Sequence, residues 1–250
     1  AAVQSGANAI KFQTFKAERL VTTFAPKAEY QSHETDTSES QYDMLRGLEL
    51  SHEMHREIIS CCNEKGILFM SSPFDEESAD LLDSMDVAVF KVPSGELNNL
   101  PFLAHIARKG KPMIVSTGMA YLSEVETAMR SIGAAGKSSV ILLHCVSNYP
   151  ANPTNVNLMA MQTMYTAFGV PIGYSDHTLG SEVAIGAVAL GACVLEKHLT
   201  MDRNLPGPDQ RASLEPNEFA MMVRGIRTVE AALGHGRKEP AESEADTAAA

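Results

Sequence analysis

Short apolar runs and stretches of helical period alternate along this chain at a regular beat. Seven runs are apolar, rich in branched or aromatic residues, and bounded by Gly, Pro or polar clusters. They are NAIKFQTF (8–15), ILFMSSPF (67–74), VAVFKVPSG (87–95), PMIVSTGM (112–119), SVILLHCVS (139–147), VPIGYSD (170–176) and CVLEKHLT (193–200). That character predicts strands. Between them lie amphipathic stretches that predict helices: HEMHREIISCCNEKG, EESADLLDSMD, LPFLAHIARKG, SEVETAMRSIGAAG, NLMAMQTMYTAFG, SEVAIGAVALGA and PNEFAMMVRGIRTVEAALG. Several open on Ser, Asp or Glu and close at Gly, with Ser51 and Ser123 as expected caps.

Strand and helix alternating at this spacing give parallel βαβ units, with strands buried on both faces. Seven such units in one chain suit an α/β fold of the (β/α)8 TIM-barrel type better than an open doubly wound sheet. No GxGxxG follows the first strand, which also counts against a dinucleotide-binding sheet. The opening AAVQSGA reads as the last turns of a helix before its Gly stop. The expectation is therefore a barrel whose first βα unit lies upstream of residue 1. Residues 16–50 form a long polar connection, a length usually tied to function. RKEPAESEADTAAA reads as a linker. Residues 1–236 are thus assigned to the barrel, and 237–250 to a linker toward a further C-terminal domain.

Composition narrows the choices. The 250 residues are 44% hydrophobic and 20% charged, ordinary for a globular chain. No run approaches eighteen apolar residues, so no membrane helix is expected. A net charge of −11 argues against nucleic acid as a partner, since phosphate backbones need a basic surface. The four cysteines, at 61, 62, 145 and 193, form no CxxC pair. They read as reduced, buried residues of a cytoplasmic protein.

Chemistry enters through position. Nearly every predicted strand ends in polar residues: Lys11 and Gln13; Ser71 and Ser72; Lys91, Ser94 and Glu96; Ser116 and Thr117; His144 and Ser147; Ser175 and His177; Glu196 and His198. Barrel active sites sit at that end. Residues two apart in a strand share a face, so Lys11 points with Gln13, Ser175 with His177, and Glu196 with His198. A lysine inside AIKF or VAVFKVP is costly unless it meets an anion. Two lysines among hydroxyls point to a phosphate or carboxylate site, the alternative being lysines that snorkel out at the rim. His177 and His198 end consecutive strands, about 4.8 Å apart, close enough to share a metal or to form a buried polar network. As ligands, two imidazoles with water and substrate oxygens suit an open site for Mn2+ or Mg2+. Asp176 and Glu196 would then orient them. The rigid Pro206-Gly207-Pro208 turn presents Asp209 at the same face.

KFQTF, SPFD, KVPSGE, STGM, HCxxxYP, GYSDHT, EKHLT and PGPD, in this order, resemble the N-acetylneuraminate (sialic acid) synthase family, which includes legionaminate and spore-coat polysaccharide synthases. The resemblance covers residues 1 to about 240. It implies a transferase that condenses phosphoenolpyruvate with an N-acetylated hexosamine, releasing phosphate and forming a nonulosonic acid. It implies metal ligands His177 and His198, holding Mn2+ or Mg2+. Phosphoenolpyruvate contacts would come from Lys11, Ser72, Lys91, Ser94, Ser116, Ser147 and Ser175. Sugar contacts would come from Gln13, Glu96, Tyr149 and Asp209. Glu196 would steer or deprotonate water. A homodimer is implied, capped by a C-terminal antifreeze-like domain. N-acetylmannosamine and a 2,4-diacetamido-trideoxy hexose stay open as acceptors. One departure is Gln210, where the family commonly has His. The family's first-strand glutamate and its capping arginine are also absent, so the chain by itself is expected to turn over poorly. The competing readings are a pyruvate aldolase on the same barrel, with Lys91 as a Schiff-base nucleophile, and a non-catalytic sugar-binding barrel.

Overall fold

The computed structural model describes residues 1–27 and 40–248. Each of the seven apolar runs forms a strand, shorter than the run itself. They are β1 (Ala9–Thr14), β2 (Leu68–Pro73), β3 (Phe90–Val92), β4 (Met113–Ser116), β5 (Val140–Cys145), β6 (Ile172–Asp176) and β7 (Leu195–Lys197). All neighbours are parallel, in chain order from β1 to β7. Helices α1 (Ala17–Leu20), α2 (Gln41–Gly47) and α3 (His52–Lys65) lie between β1 and β2. The later crossovers carry α4 (Glu76–Ser84), α5 (Leu100–Ala107), α6 (Leu122–Ala135), α7 (Ala160–Phe168) and α8 (Glu182–Ala189). After β7 come α9 (Pro216–Leu233) and the short α10 (Ala245–Ala248).

Local chemistry sets the helix ends. Ser51 Oγ accepts the Met54 N–H at 3.1 Å, and Gly66 ends α3 in the left-handed region at φ 65°. The expected cap at Ser123 moves two residues earlier. Tyr121 is the N-cap, its N–H donating to Glu124 Oε2 at 2.7 Å, and Ser123 lies inside the first turn. At the start of the chain, the Ser5 N–H donates to the Ala1 carbonyl at 2.9 Å and Gly6 turns at φ 85°. That is the helical turn and glycine stop the sequence predicts. Residues 231–247 are exposed.

Two apolar layers flank the sheet. Phe69, Phe90, Val92, Leu142 and Tyr174 pack outward with Leu103, Ile106 and Ile132 of the helices. Met70, Val89, Ile114 and Leu143 pack inward with Ala9, Ile141 and Val194. The inner layer is crowded: a Cβ on Gly173 would lie 2.3 Å from the Val194 carbonyl oxygen and 2.5 Å from Leu143 Cδ2. Flat, seven strands at their usual spacing would hold β1 and β7 about 29 Å apart. Instead Lys11 Nζ of β1 lies 3.0 Å from Glu196 Oε1 of β7. The sheet is therefore curled into an open half-barrel. Its end strands, not bonded to each other among the described residues, are half-buried, whereas β3, β4 and β6 are buried.

Candidate active site

The curl turns the inward positions of all seven strand ends toward one space. A cavity of ≈ 620 Å³ opens there, within the usual range for small-molecule sites. Lys11 and Gln13 from β1, Ser72 from β2, Lys91 from β3 and Ser116 from β4 line it, followed by Cys145, Ser175 and Glu196. Ser94, Ser147, Tyr149, His177, His198 and Asp209 line it from just beyond the strands. The parity argument thus holds for Lys11 with Gln13, Ser175 with His177 and Glu196 with His198.

Glu196 is the electrostatic centre. Its Oε1 lies 3.0 Å from Lys11 Nζ, 3.8 Å from Lys91 Nζ, and accepts the Ser175 hydroxyl at 2.8 Å. Burial alone would raise its pKa; the two ammonium groups and the hydroxyl more than reverse that, holding it well below the usual carboxylate range. Lys91 is buried and donates to Ser116 Oγ at 2.8 Å and to its neighbour's carbonyl, Val92 O, at 3.1 Å. Desolvation pulls its pKa down to about 8, against the attraction of Glu196 and with the repulsion of Lys11. Beside this array, Ser94 Oγ accepts the Gly118 N–H at 3.0 Å and touches Cys145 Sγ at 3.1 Å. A Cβ on Gly118 would lie 2.3 Å from Ser147 Oγ and 2.8 Å from Ser94 Oγ. The backbone approaches this closely only because residue 118 has no side chain.

The two histidines meet as their strands require. Their ring centroids are 5.5 Å apart, and Tyr149 packs on both, at 4.2 Å from His177 and 5.8 Å from His198. His177 Nδ1 donates to the Val146 carbonyl at 2.7 Å, which leaves the Nε2 lone pair facing the cavity, 3.4 Å from Ser175 Oγ. Burial lowers the pKa of His177, and burial with the nearby Lys11 ammonium takes His198 down to about 3. Both imidazoles are neutral, as metal ligands must be. Among the described residues no three His, Cys, Asp or Glu side chains converge on one metal position. Any cation held by the two imidazoles would have to take most of its ligands from water and substrate. Asp209 Oδ2 lies 3.9 Å from His198 Nδ1, and burial raises the Asp209 pKa.

Several expectations change. Glu96 does not line the cavity; its Oε2 accepts from Asn99 Nδ2 at 2.8 Å, at the start of α5. Ser71 faces outward, hydrogen-bonded to Thr14 at 2.7 Å, and Thr117 donates outward to the Leu143 carbonyl at 3.0 Å. His144 also faces the helices, with Nε2 on the Val156 carbonyl at 2.6 Å. Asp176 does not orient His177; the Val146 carbonyl does. Asp176 is turned away and pairs with Lys197 Nζ at 2.7 Å, both side chains buried. Cys61 and Cys193 are exposed rather than buried. Sequence reasoning missed Cys145 as a lining residue, although it shares strand parity with Ser147. It also missed an apolar wall of Leu20, Val21, Met44, Leu45, Leu48 and Phe74, to which strand periodicity gives no clue. A separate groove of ≈ 480 Å³ between α6 and α7 carries only the already paired Glu126 and Arg130 as charged lining.

Fold and site together define a curled parallel α/β protein with a floor of two lysines, a carboxylate and hydroxyls, and two histidines at the C-terminal ends of its strands. The chain belongs to the NeuB family, whose sequence model matches residues 1–238. It is 50% identical to the N,N'-diacetyllegionaminic acid synthase of Legionella pneumophila, over 98% of this chain and 70% of that protein. It is 38% identical to the human N-acetylneuraminate-9-phosphate synthase, over 95% of this chain and 66% of that one. The sialic acid synthetase of Leptospira borgpetersenii, solved in complex with citrate, superposes with a TM-score of 0.86. That match has 36% identity and covers 99% of this chain and 82% of the other.

Proposed function

We propose that this protein condenses phosphoenolpyruvate with an N-acetylated amino sugar, releasing inorganic phosphate and forming a nonulosonic acid. The observation that carries the reading is the Lys11–Glu196–Lys91 array, ringed by Ser72, Ser94, Ser116, Ser147 and Ser175, beside two neutral imidazoles. Lys11, Lys91 and the hydroxyls hold the phosphate and carboxylate of phosphoenolpyruvate, as fixed dipoles and charges do best in a water-poor site. Glu196, kept ionised, steers or deprotonates the water that captures the carbon left electron-poor when the enol carbon attacks. Asp209 accepts from a sugar hydroxyl, with Gln13 and Tyr149 lining the same space. His177 and His198 would hold Mn2+ or Mg2+, which when bound supplies Lewis-acid polarisation of the sugar aldehyde. We read the arc of seven strands as belonging to a (β/α)8 barrel in which one further strand would stand between β1 and β7, a reading that the approach of Lys11 to Glu196 supports.

Calorimetric titration of phosphoenolpyruvate, with phosphate release read after adding N-acetylmannosamine, tests the condensation. The expected result is saturable binding that K91A weakens more than tenfold, with phosphate appearing only when the sugar is present. Absence of phosphoenolpyruvate binding would overturn it. Mn2+ titration of H177A/H198A tests the ligands: unaltered affinity would exclude the histidines. The aldolase reading has one observation in its favour, the buried Lys91 with its pKa near 8. Borohydride trapping with pyruvate separates the two, because an aldolase is trapped and releases no phosphate.

A further inference from the structure

Cys145 lines the floor of the cavity without a part in the proposed condensation. It ends β5, two residues beyond the inward-packed Leu143, so its thiol lies on the same side of the sheet. It is 4% exposed. Across the sheet it pairs in register with Ser175, whose hydroxyl is given to Glu196. A cysteine that only filled space would need no polar contact. Here Sγ stands 3.1 Å from Ser94 Oγ, and a Cβ on Gly118 would lie 2.9 Å from it. Ser94 Oγ and Ser147 Oγ would lie 2.8 and 2.3 Å from that same point. Three polar side chains from two strand ends therefore close around one glycine.

The contact acts on the proton of Ser94. A hydroxyl has one proton to give and two lone pairs that receive. One lone pair of Ser94 Oγ takes the Gly118 N–H at 3.0 Å. Toward Cys145 there are two arrangements. Either the hydroxyl gives its proton to Sγ, or the thiol donates to Oγ and fills the second lone pair. Sulfur accepts weakly, so an anion in the cavity is the better acceptor and draws the Ser94 proton to itself. The thiol then donates to the oxygen, and Ser94 is left with one role, donor to the ligand. We propose that Cys145 is a positioning residue: its thiol, with the Gly118 N–H, fills the acceptor sites of Ser94 and aims the Ser94 hydroxyl at phosphoenolpyruvate. This rests on the condensation reading for the identity of the anion, and adds what orients one of its contacts.

Calorimetric titration of phosphoenolpyruvate into the full chain, and into C145A, C145S, S94A and S94A/C145A, tests the coupling. C145A should weaken binding about three- to tenfold, the range one hydrogen bond supports. C145S keeps a donor and should restore most of that loss. In the S94A background, removing the thiol should change affinity by less than about twofold, because the thiol acts through that hydroxyl. Infrared spectroscopy of the unaltered protein reads the donation without relying on any variant's fold. Phosphoenolpyruvate should shift the Cys145 S–H stretch to lower frequency, the band being identified by its loss in C145S. Unaltered affinity in C145A, an equal loss in both backgrounds, or an S–H band that phosphoenolpyruvate leaves in place would overturn the proposal. Failure of the unaltered protein to bind phosphoenolpyruvate would overturn the condensation reading along with it. Coupling on binding, with no phosphate released on adding N-acetylmannosamine, would leave the positioning role standing and count against condensation alone.

Discussion

The ion pair between Asp176 and Lys197 lies back to back with the chemistry. Asp176 sits between Ser175 and His177, and Lys197 between Glu196 and His198, so the pair faces the helices while its neighbours face the cavity. Both side chains are buried, at 0% and 1% exposed. Asp176 also accepts from the Tyr174 hydroxyl at 3.2 Å, the Thr178 N–H at 2.9 Å and the Thr178 hydroxyl at 2.8 Å. Lys197 further donates to the Thr178 carbonyl. Lys197→Met leaves an uncompensated buried carboxylate, a change that typically costs about 3–5 kcal/mol. The three remaining hydrogen bonds to Asp176 place this case at about 3 kcal/mol, the lower end of that range. With a urea dependence of about 3 kcal/mol per M, suitable for a chain of this size, the unfolding midpoint should fall by about 1 M. Asp176→Leu in the same chain removes the orphaned charge, and the double variant should recover more than half of the loss. Urea titration followed by circular dichroism measures both. A midpoint shift under about 0.3 M for the single variant would refute the reasoning, as would a double variant no better than the single.

Two further outcomes follow from the floor of the cavity. In the empty site Glu196 competes with any incoming anion for Lys11 and Lys91, so Glu196→Gln should bind phosphoenolpyruvate at least as tightly as the parent. Its turnover should fall about 10²–10⁴-fold, the loss expected for a group that handles a proton; weaker binding with unchanged turnover would contradict this assignment. Lys91 titrates near 8 rather than at the ordinary 10.5, so between those values the unfolded chain holds more protons than the native one. Stability therefore rises with pH across that window, while affinity for phosphoenolpyruvate falls by up to about tenfold per pH unit once Lys91 loses its charge. Calorimetry from pH 6.5 to 9.5 checks this, and Lys91→Arg, which stays charged, should flatten the profile.

Much of the site was legible before any coordinates, because strand periodicity is a local property. Lys11 two residues from Gln13, Ser175 two from His177, and Glu196 two from His198 each had to share a face. Periodicity says which residues go together, not which set goes inward. For that reason the polar strand-end residues Ser71, Thr117 and His144 cannot be told from the cavity residues by spacing alone, although each bonds outward, to Thr14, the Leu143 carbonyl and the Val156 carbonyl. Glu96 lies off the cavity lining for a different reason. Pro93 ends β3, and the short helical turn beyond it, at Ser94–Glu96, carries the carboxylate round to Asn99.

The sequence by itself determined seven strands, their order of appearance, the helices between them and the pairing of polar side chains along each strand. Those depend on interactions within a few residues. Only the tertiary structure decided that the sheet curls far enough for Lys11 and Glu196, 185 positions apart, to meet at 3.0 Å. It alone decided that Asp176 turns its back on the cavity to hold Lys197, and that Leu20, Val21, Met44, Leu45 and Leu48 supply an apolar wall. The physical reason is common to all three: burial and charge pairing are settled by neighbours in space, and curvature chooses those neighbours.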